Sequence, residues 1–516
     1  METRTLSPNV IAHHHFSGVP LWLSSLVLLA VSPVCAQQTG VDLLGSAVPS
    51  ITAMGHHSIG VNPSLLATER PFCYDRQLVE IPDSLSRRER RIARRNQRLR
   101  FFSGFEGALI VETPLLDGTS LVQWAEGKEE WNVQDRRDVA NRLAKSPTRA
   151  DAAFRWAGWS RHGRRGGWAW TVEDRYSASV VPSSALSEYV MLGPASSLFD
   201  QVVLTDGTIV DVDSLSDEQF GMVETGLREG GALLALELLG GSSVAVQHVR
   251  SYGAGFGLKL MNTRALKLSL GASIRYLRGT GYYEVNTEEQ WAFAAFNRGF
   301  GAELVASDAT LGSALRPSGF GVALDLAVRV DLAELWFASL AVTDIGSMDW
   351  QGERYSLNNP VTDLENWSAG GGGVFDLLNE GLAPSALFVE ATPERRVVDM
   401  PTRVTLNAGM RIGKSHMLGI ELGAPLNDAL LKQPAEFGVG GQTRIGPVMG
   451  MGGMRWRQGG NVRWPLALIW NREDRPTQFG LATDDVFGWI APERRWGWGW
   501  SLTRTIRPSM DLKGRN

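Results

Sequence analysis

Residues 266–276 read LKLSLGASIRY, and one side of this stretch is oily while the other is wet. Leu266, Leu268, Leu270, Ala272, Ile274 and Tyr276 alternate with Lys267, Ser269, Gly271, Ser273 and Arg275. Successive side chains of an extended chain point to opposite faces, so this spacing predicts a strand with two unlike faces. The pattern recurs from Val322 to Leu332, where Asp325, Arg329 and Asp331 hold the polar phase. It recurs again from Arg403 to Ile412, with Arg403, Asn407 and Arg411 between Val404, Leu406, Ala408 and Met410. Near the C-terminus Trp496, Trp498, Trp500 and Leu502 alternate with Gly497, Gly499, Ser501 and Thr503. Shorter stretches start at Trp168 and at Trp464, the latter with Pro465 marking a strand start.

Length separates two all-β readings. A soluble sandwich or propeller also alternates, but with strands of about 5 or 6 residues and the apolar face turned inward. These runs are about ten residues long, what a tilted strand needs to cross a bilayer. Turn signals such as His162-Gly163-Arg164-Arg165-Gly166 and Gly413-Lys414-Ser415 separate them, and Trp and Tyr gather near segment ends as an interfacial girdle requires. The expectation is an all-β fold: a transmembrane antiparallel β-barrel of about 14 strands, with a plug-like N-terminal segment and short helical inserts.

The N-terminus agrees with export. Residues 1–36 read as a signal peptide, with an apolar core from Leu21 to Val31 and cleavage expected after Ala36. Only Cys73 then remains, so neither a disulfide nor a cysteine-based zinc site is expected within the mature chain. The formal charge of −4 on 516 residues gives no drive toward nucleic acid. Abundant Gly (57) and Trp (18) suit tight turns and interfacial aromatics.

Residues 37–104 break the pattern, and are assigned to a plug or periplasmic segment ahead of a barrel spanning 105–516. They contain His56 and His57, whose metal-ligating partners the sequence does not single out. They also contain a basic helix candidate from Asp83 to Arg100, with eight arginines from Arg87 onward and only Glu89 opposing. That stretch reads as a solvated basic face, or as a contact for anionic headgroups or an acidic partner. Helical inserts are expected at Ser214–Arg228 and around Val374–Asn379. No nucleophile elbow, Walker loop, His-Glu-x-x-His or dinucleotide fingerprint occurs, so the expectation is a non-enzyme with no cofactor and no metal.

Several motifs resemble a known family. Asn62-Pro63-Ser64-Leu65-Leu66-Ala67 resembles the Asn-Pro-Ala motif near the start of FadL-type and PorV-like outer-membrane barrels, with Ser64 in place of Ala. Residues 271–284 (GASIRYLRGTGYYE), 319–325 (GFGVALD) and 342–350 (VTDIGSMDW) resemble signature stretches of an uncharacterised Bacteroidota barrel family. The resemblance implies a plugged FadL-like barrel in the outer membrane of a Gram-negative bacterium, with Asn62 and Pro63 in the plug motif. It implies uptake of hydrophobic solutes or assistance to secretion.

Two functions remain open on these residues. The first is a channel for hydrophobic or amphiphilic small solutes, its lumen lined by Lys267, Arg275, Asp325, Arg329, Asp331, Arg403, Asn407 and Arg411. The second is a structural or secretion-accessory barrel that docks exported proteins. Outer-membrane lipid is the expected partner in both, and nucleic acid in neither.

Overall fold

The computed structural model describes residues 46–67 (54 excepted), 86, 100–112, 131–145, 148–296 (164 and 232 excepted), 318–359, 387–427 (414 excepted), 435–458, 462–470, 477–487 and 496–506. The signal peptide, Cys73, the arginines from Arg87 to Arg98 and the helix expected at Val374–Asn379 lie outside these residues.

Fourteen strands form one closed ring. They are β1 (Arg100–Glu112), β2 (Thr148–Gly163), β3 (Gly166–Val181), β4 (Ser243–Asn262) and β5 (Leu266–Asn286). Next come β6 (Gly319–Leu332), β7 (Trp336–Leu357), β8 (Arg403–Ile412), β9 (His416–Pro425) and β10 (Glu436–Ile445). The ring ends with β11 (Val448–Arg457), β12 (Leu466–Trp470), β13 (Thr477–Thr483) and β14 (Trp496–Ile506). Each pairs antiparallel with the next, and β14 pairs with β1, Trp500 opposite Gly107. Closure leaves no open edge along the ring, so the strands satisfy one another's backbone groups.

The two ends of the ring differ. At one end tight turns join β2 to β3, β4 to β5, β6 to β7, β8 to β9 and β10 to β11. The other end carries the long connections. One holds helix α1 (Val133–Lys145), another holds helix α2 (Ser184–Leu192) and a three-stranded sheet of Gln201–Leu204, Ile209–Asp211 and Val223–Leu227. Val139 and Leu143 of α1 pack on Met191 and Leu192 of α2. The helix expected at Ser214–Arg228 is only the single turn Asp217–Phe220, held by a Ser216–Gln219 capping box. The residues after it extend, because Val223–Leu227 pairs with Gln201–Leu204 and Gly226 leaves room for the Phe199 ring. Two further strands heighten the long-loop side: Trp291–Phe296 pairs with β5 and β7 beyond the end of β6, and Phe388–Asp399 pairs with β7.

The faces of the ring are reversed relative to a water-soluble barrel. Ile274 is 53 % and Leu326 46 % exposed, and Leu270, Val322, Leu324, Leu406, Leu418, Ile420 and Leu468 are exposed alike. Their neighbours on the opposite face are buried and polar, among them Ser269, Ser273, Arg275, Asp325, Arg329 and Asn407. Exposed aromatics bound the apolar surface. Trp168 and Trp336 lie near the tight-turn end, and Tyr176, Tyr252, Tyr276 and Phe320 lie farther along the same strands or their neighbours. About ten residues separate the two levels, and at about 3.3 Å per residue with a tilt near 40° this is a band of roughly 25 Å. Among the described residues no helix is long and apolar enough to cross a membrane.

Candidate functional site: a filled and charged lumen

The site begins with residues 46–67, three short helical turns (Pro49–Thr52, Gly55–Ser58 and Pro63–Ala67) in which nearly every residue is buried. So short a segment cannot bury itself. It is buried because it touches the wall on all sides. Ser50 N–H donates to Glu421 of β9 at 2.9 Å, and its hydroxyl donates to the same carboxylate. Gly60 N–H donates to Asp325 of β6 at 3.1 Å, and His57 contacts Glu106 of β1 at 2.9 Å. Ala47 lies against Gly438 of β10 and Gly453 of β11. Contacts to β1, β6, β9, β10 and β11, all on the face opposite the exposed apolar one, place the segment inside the barrel.

Asn62 and Pro63 seat its middle. Asn62 Nδ2 donates to Ser50 O (3.0 Å) and to Ser339 Oγ of β7 (2.9 Å), while Asn62 Oδ1 accepts from Ser64 Oγ. Ser339 in turn donates to Asn407, and Asn407 Nδ2 donates to Ser50 Oγ, closing a network between segment and wall. The Pro63–Ser64 backbone lies where a side chain on Gly271 would stand. Gly271→Leu is therefore expected to unseat the segment, since overpacking a filled site costs about 1–3 kcal/mol. Subtilisin should then cut within 46–67 while the barrel stays heat-modifiable on gels; continued protection would contradict this seating.

Charged side chains line the wall around the segment. Arg275 is 1 % exposed and bridges Asp325 (2.5 Å) and Asp344 (2.7 Å); Asp325 also accepts from Ser273 Oγ, Gly60 N–H and Asp344 N–H. A β-bulge aims Asp344 inward. The β6–β7 register shifts between Leu324 and Leu326, and Asp344 takes a left-handed φ of 58°. Across the lumen Glu436 of β10 sits among Arg403, Arg455, Arg457 and Arg463, of which Arg463 is closest at 2.9 Å and also bonds Asp484 at 2.9 Å. Buried charges of one sign are tolerated only where the other sign meets them at such distances.

The polar positions singled out in the sequence fall in three places. Arg275 and Asp325 form the first cluster, Asn407 the segment network, and Arg403 the Glu436 cluster. Arg329, Asp331 and Arg411 form a chain at the tight-turn end, with Asp331 2.9 Å from Arg329 and 3.0 Å from Arg411. Lys267 is part-exposed beside that end, 2.7 Å from Glu334 in the β6–β7 turn. Sequence reading missed Glu106, Arg155, Asp344, Glu421 and Glu436, which lie on strands whose alternation is short, or beyond a bulge.

His56 and His57 face this wall as well. Glu106 Oε2 accepts from Arg155 at 2.8 Å, His57 Nε2 lies 2.9 Å from both carboxylate oxygens, and His56 Nε2 lies 3.8 Å from Oε1. Burial, aided by the charge of neighbouring His57, lowers His56 to about 4, so its ring is neutral at ordinary pH. Neither ring nitrogen of His56 has a hydrogen-bond partner among the described residues. Leaving one such group unsatisfied costs about 1–3 kcal/mol.

Toward the long-loop end the lumen turns apolar. Leu277, Tyr282, Trp291, Phe293, Met348 and Trp350 are buried together, with Tyr282 and Trp350 stacked at 5.1 Å. Gly279 and Gly319 leave the space that the Trp350 ring occupies. Glu284 borders the cluster, accepting from Tyr282 OH at 2.6 Å and from Arg396 at 2.9 Å, while Arg396 lies over the Trp291 ring.

Fold and lumen define the class: a closed antiparallel barrel of 14 strands, oily outside, charged within and filled by its own N-terminal segment. A family of unknown function (DUF5723) matches residues 237–446. No curated protein matches the chain. Among solved structures, a Pseudomonas aeruginosa FadL homologue is similar at 9 % identity and a TM-score of 0.41, over 93 % of this chain and 100 % of that one. The Ralstonia pickettii toluene transporter TbuX is similar at 9 % identity and 0.37, over 91 % and 99 %. The Pseudomonas putida toluene transporter TodX is similar at 9 % identity and 0.36, over 92 % and 98 %.

Proposed function

We propose that this chain is an outer-membrane channel for hydrophobic or amphiphilic small solutes, closed in the described state by residues 46–67. The observation that carries the membrane reading is the roughly 25 Å exposed apolar band between two aromatic levels, around a polar, buried interior. A water-soluble protein exposing so much contiguous apolar surface would associate or precipitate. In this reading a Gram-negative bacterium exports the chain on the signal of residues 1–36; residues 37–99 form the plug segment and the rest the barrel, the boundary expected at 104 moving back because β1 already pairs from Arg100. The tight-turn end then faces the periplasm and the long connections face outward.

Solute class follows from the layering of the lumen. A solute entering from the long-loop end meets Trp291, Phe293, Tyr282 and Trp350 before it meets any charge cluster, with Glu284 and Arg396 beside them. A buried aromatic cluster with a few polar groups at its border suits an apolar body with a polar head. Two measurements test this. Deleting residues 46–67 should raise single-channel conductance in planar bilayers well above that of the intact chain. Trp350→Ala should change the rate at which proteoliposomes take up a long-chain fatty acid or an aromatic hydrocarbon, leaving a sugar unaffected. An unchanged conductance on deletion would contradict closure, and equal effects on both solutes would contradict the solute class.

A further inference from the structure

We propose that His56, His57 and Glu106 form a divalent-metal site of the zinc type that pins the N-terminal segment to the barrel wall. The proposal stands independently of which solute passes. The three residues are all buried, and their ligand atoms lie within 4.8 Å of one another. Glu106 Oε1 is 3.8 Å from His56 Nε2 and 2.9 Å from His57 Nε2. Bonds of about 2.0–2.1 Å in a tetrahedral shell place ligand atoms roughly 3.4 Å apart. Closing the first gap and opening the second by about half an ångström each brings the carboxylate to that spacing from both rings, and the two imidazoles, which lie within 4.8 Å of each other, draw together on the ion as well.

Three features make this more than a chance meeting of residues. His56 is fully enclosed with both ring nitrogens lacking a hydrogen-bond partner among the described residues, and a buried polar atom left so points to an ion or water. Its ring lies where a side chain at position 158 of β2 would stand, so Gly158 makes the pocket that the imidazole enters. Arg155 holds Glu106 by Oε2 while the carboxylate faces both histidines, His57 Nε2 lying 2.9 Å from each of its oxygens; holding the carboxylate in place is the role an outer partner plays for a ligating group. Arg155 also lies 2.9 Å from Glu173, which shares its charge and lets Glu106 serve the cation. Two imidazoles and one carboxylate with a fourth position for water are a known zinc ligand set.

A metal here would join residues far apart in sequence, as a removable cross-link between segment and wall. The test uses the full chain in detergent, stripped with a chelator and titrated with zinc ions alone. One equivalent should bind, raise the unfolding temperature and slow subtilisin cleavage within 46–67. His56→Gln and Glu106→Gln should each abolish all three effects while remaining heat-modifiable on gels. Binding that persists unchanged in both variants, or no stabilisation of the wild-type chain, would overturn the proposal. Because either variant could disturb folding, crystals of the wild-type chain soaked in zinc give a second readout. An anomalous peak between His56 Nε2 and Glu106 Oε1 is expected, and its absence there would overturn the proposal without any substitution.

Discussion

Leu326→Arg is expected to destabilise the membrane-inserted barrel by about 2–4 kcal/mol, although Leu326 is 46 % exposed. The residue lies midway between Phe320 in the far aromatic level and the tight turn after Leu332, so its side chain falls at the centre of the apolar band. Were that face bathed in water, replacing an exposed leucine by arginine would change stability by about 0.5 kcal/mol at most. Denaturant titration of wild-type and variant chains folded into lipid vesicles measures the difference. The same change at Leu332, beside the turn, should cost only about 0–1 kcal/mol, because the penalty falls toward the interface. Equal costs at the two positions would contradict a bilayer around the barrel.

Arg275→Met should cost about 3–5 kcal/mol, because it leaves the Asp325 and Asp344 carboxylates buried side by side without their cation. The effect reaches beyond the wall. Asp325 also accepts from Gly60 N–H, so disturbing the triad loosens the N-terminal segment along with β5, β6 and β7. Adding Asp344→Asn to the variant should recover part of the loss, since it removes one of the two stranded charges. The temperature at which the folded band converts to the unfolded band on gels reads both effects. A single variant as stable as wild type would mean that water reaches the cluster and screens it.

The barrel was legible because its rule is local. A two-sided strand announces itself within ten residues, as in 266–276, and the turn residues between strands set the count near 14. The lumen was less legible, for two physical reasons. A bulge reverses the phase of alternation. On β7 Phe337, Ser339 and Thr343 face inward before it, whereas Asp344, Met348 and Trp350 face inward after it. No period read along the chain would place Trp350 inside. The second reason is separation. His57 and Glu106 are 49 positions apart, and Ser50 and Glu421 371, so only closure of the ring brings them together. Histidines lacking ligand spacing in sequence thus acquire a carboxylate in space. Ser214–Arg228 failed as a helix for the converse reason: its capping signal holds for one turn, and strand pairing with Gln201–Leu204 takes the rest.

Everything rests on which face of the strands meets lipid. Spin labels attached to single cysteines at positions 324, 325 and 326, in a chain whose native cysteines are replaced by serine and which is folded into vesicles, read this directly. The labels at 324 and 326 should be relaxed strongly by oxygen and weakly by a water-soluble nickel chelate, and the label at 325 should be shielded from oxygen. High nickel accessibility at 324 and 326 would show those leucines in water and contradict the inside-out barrel.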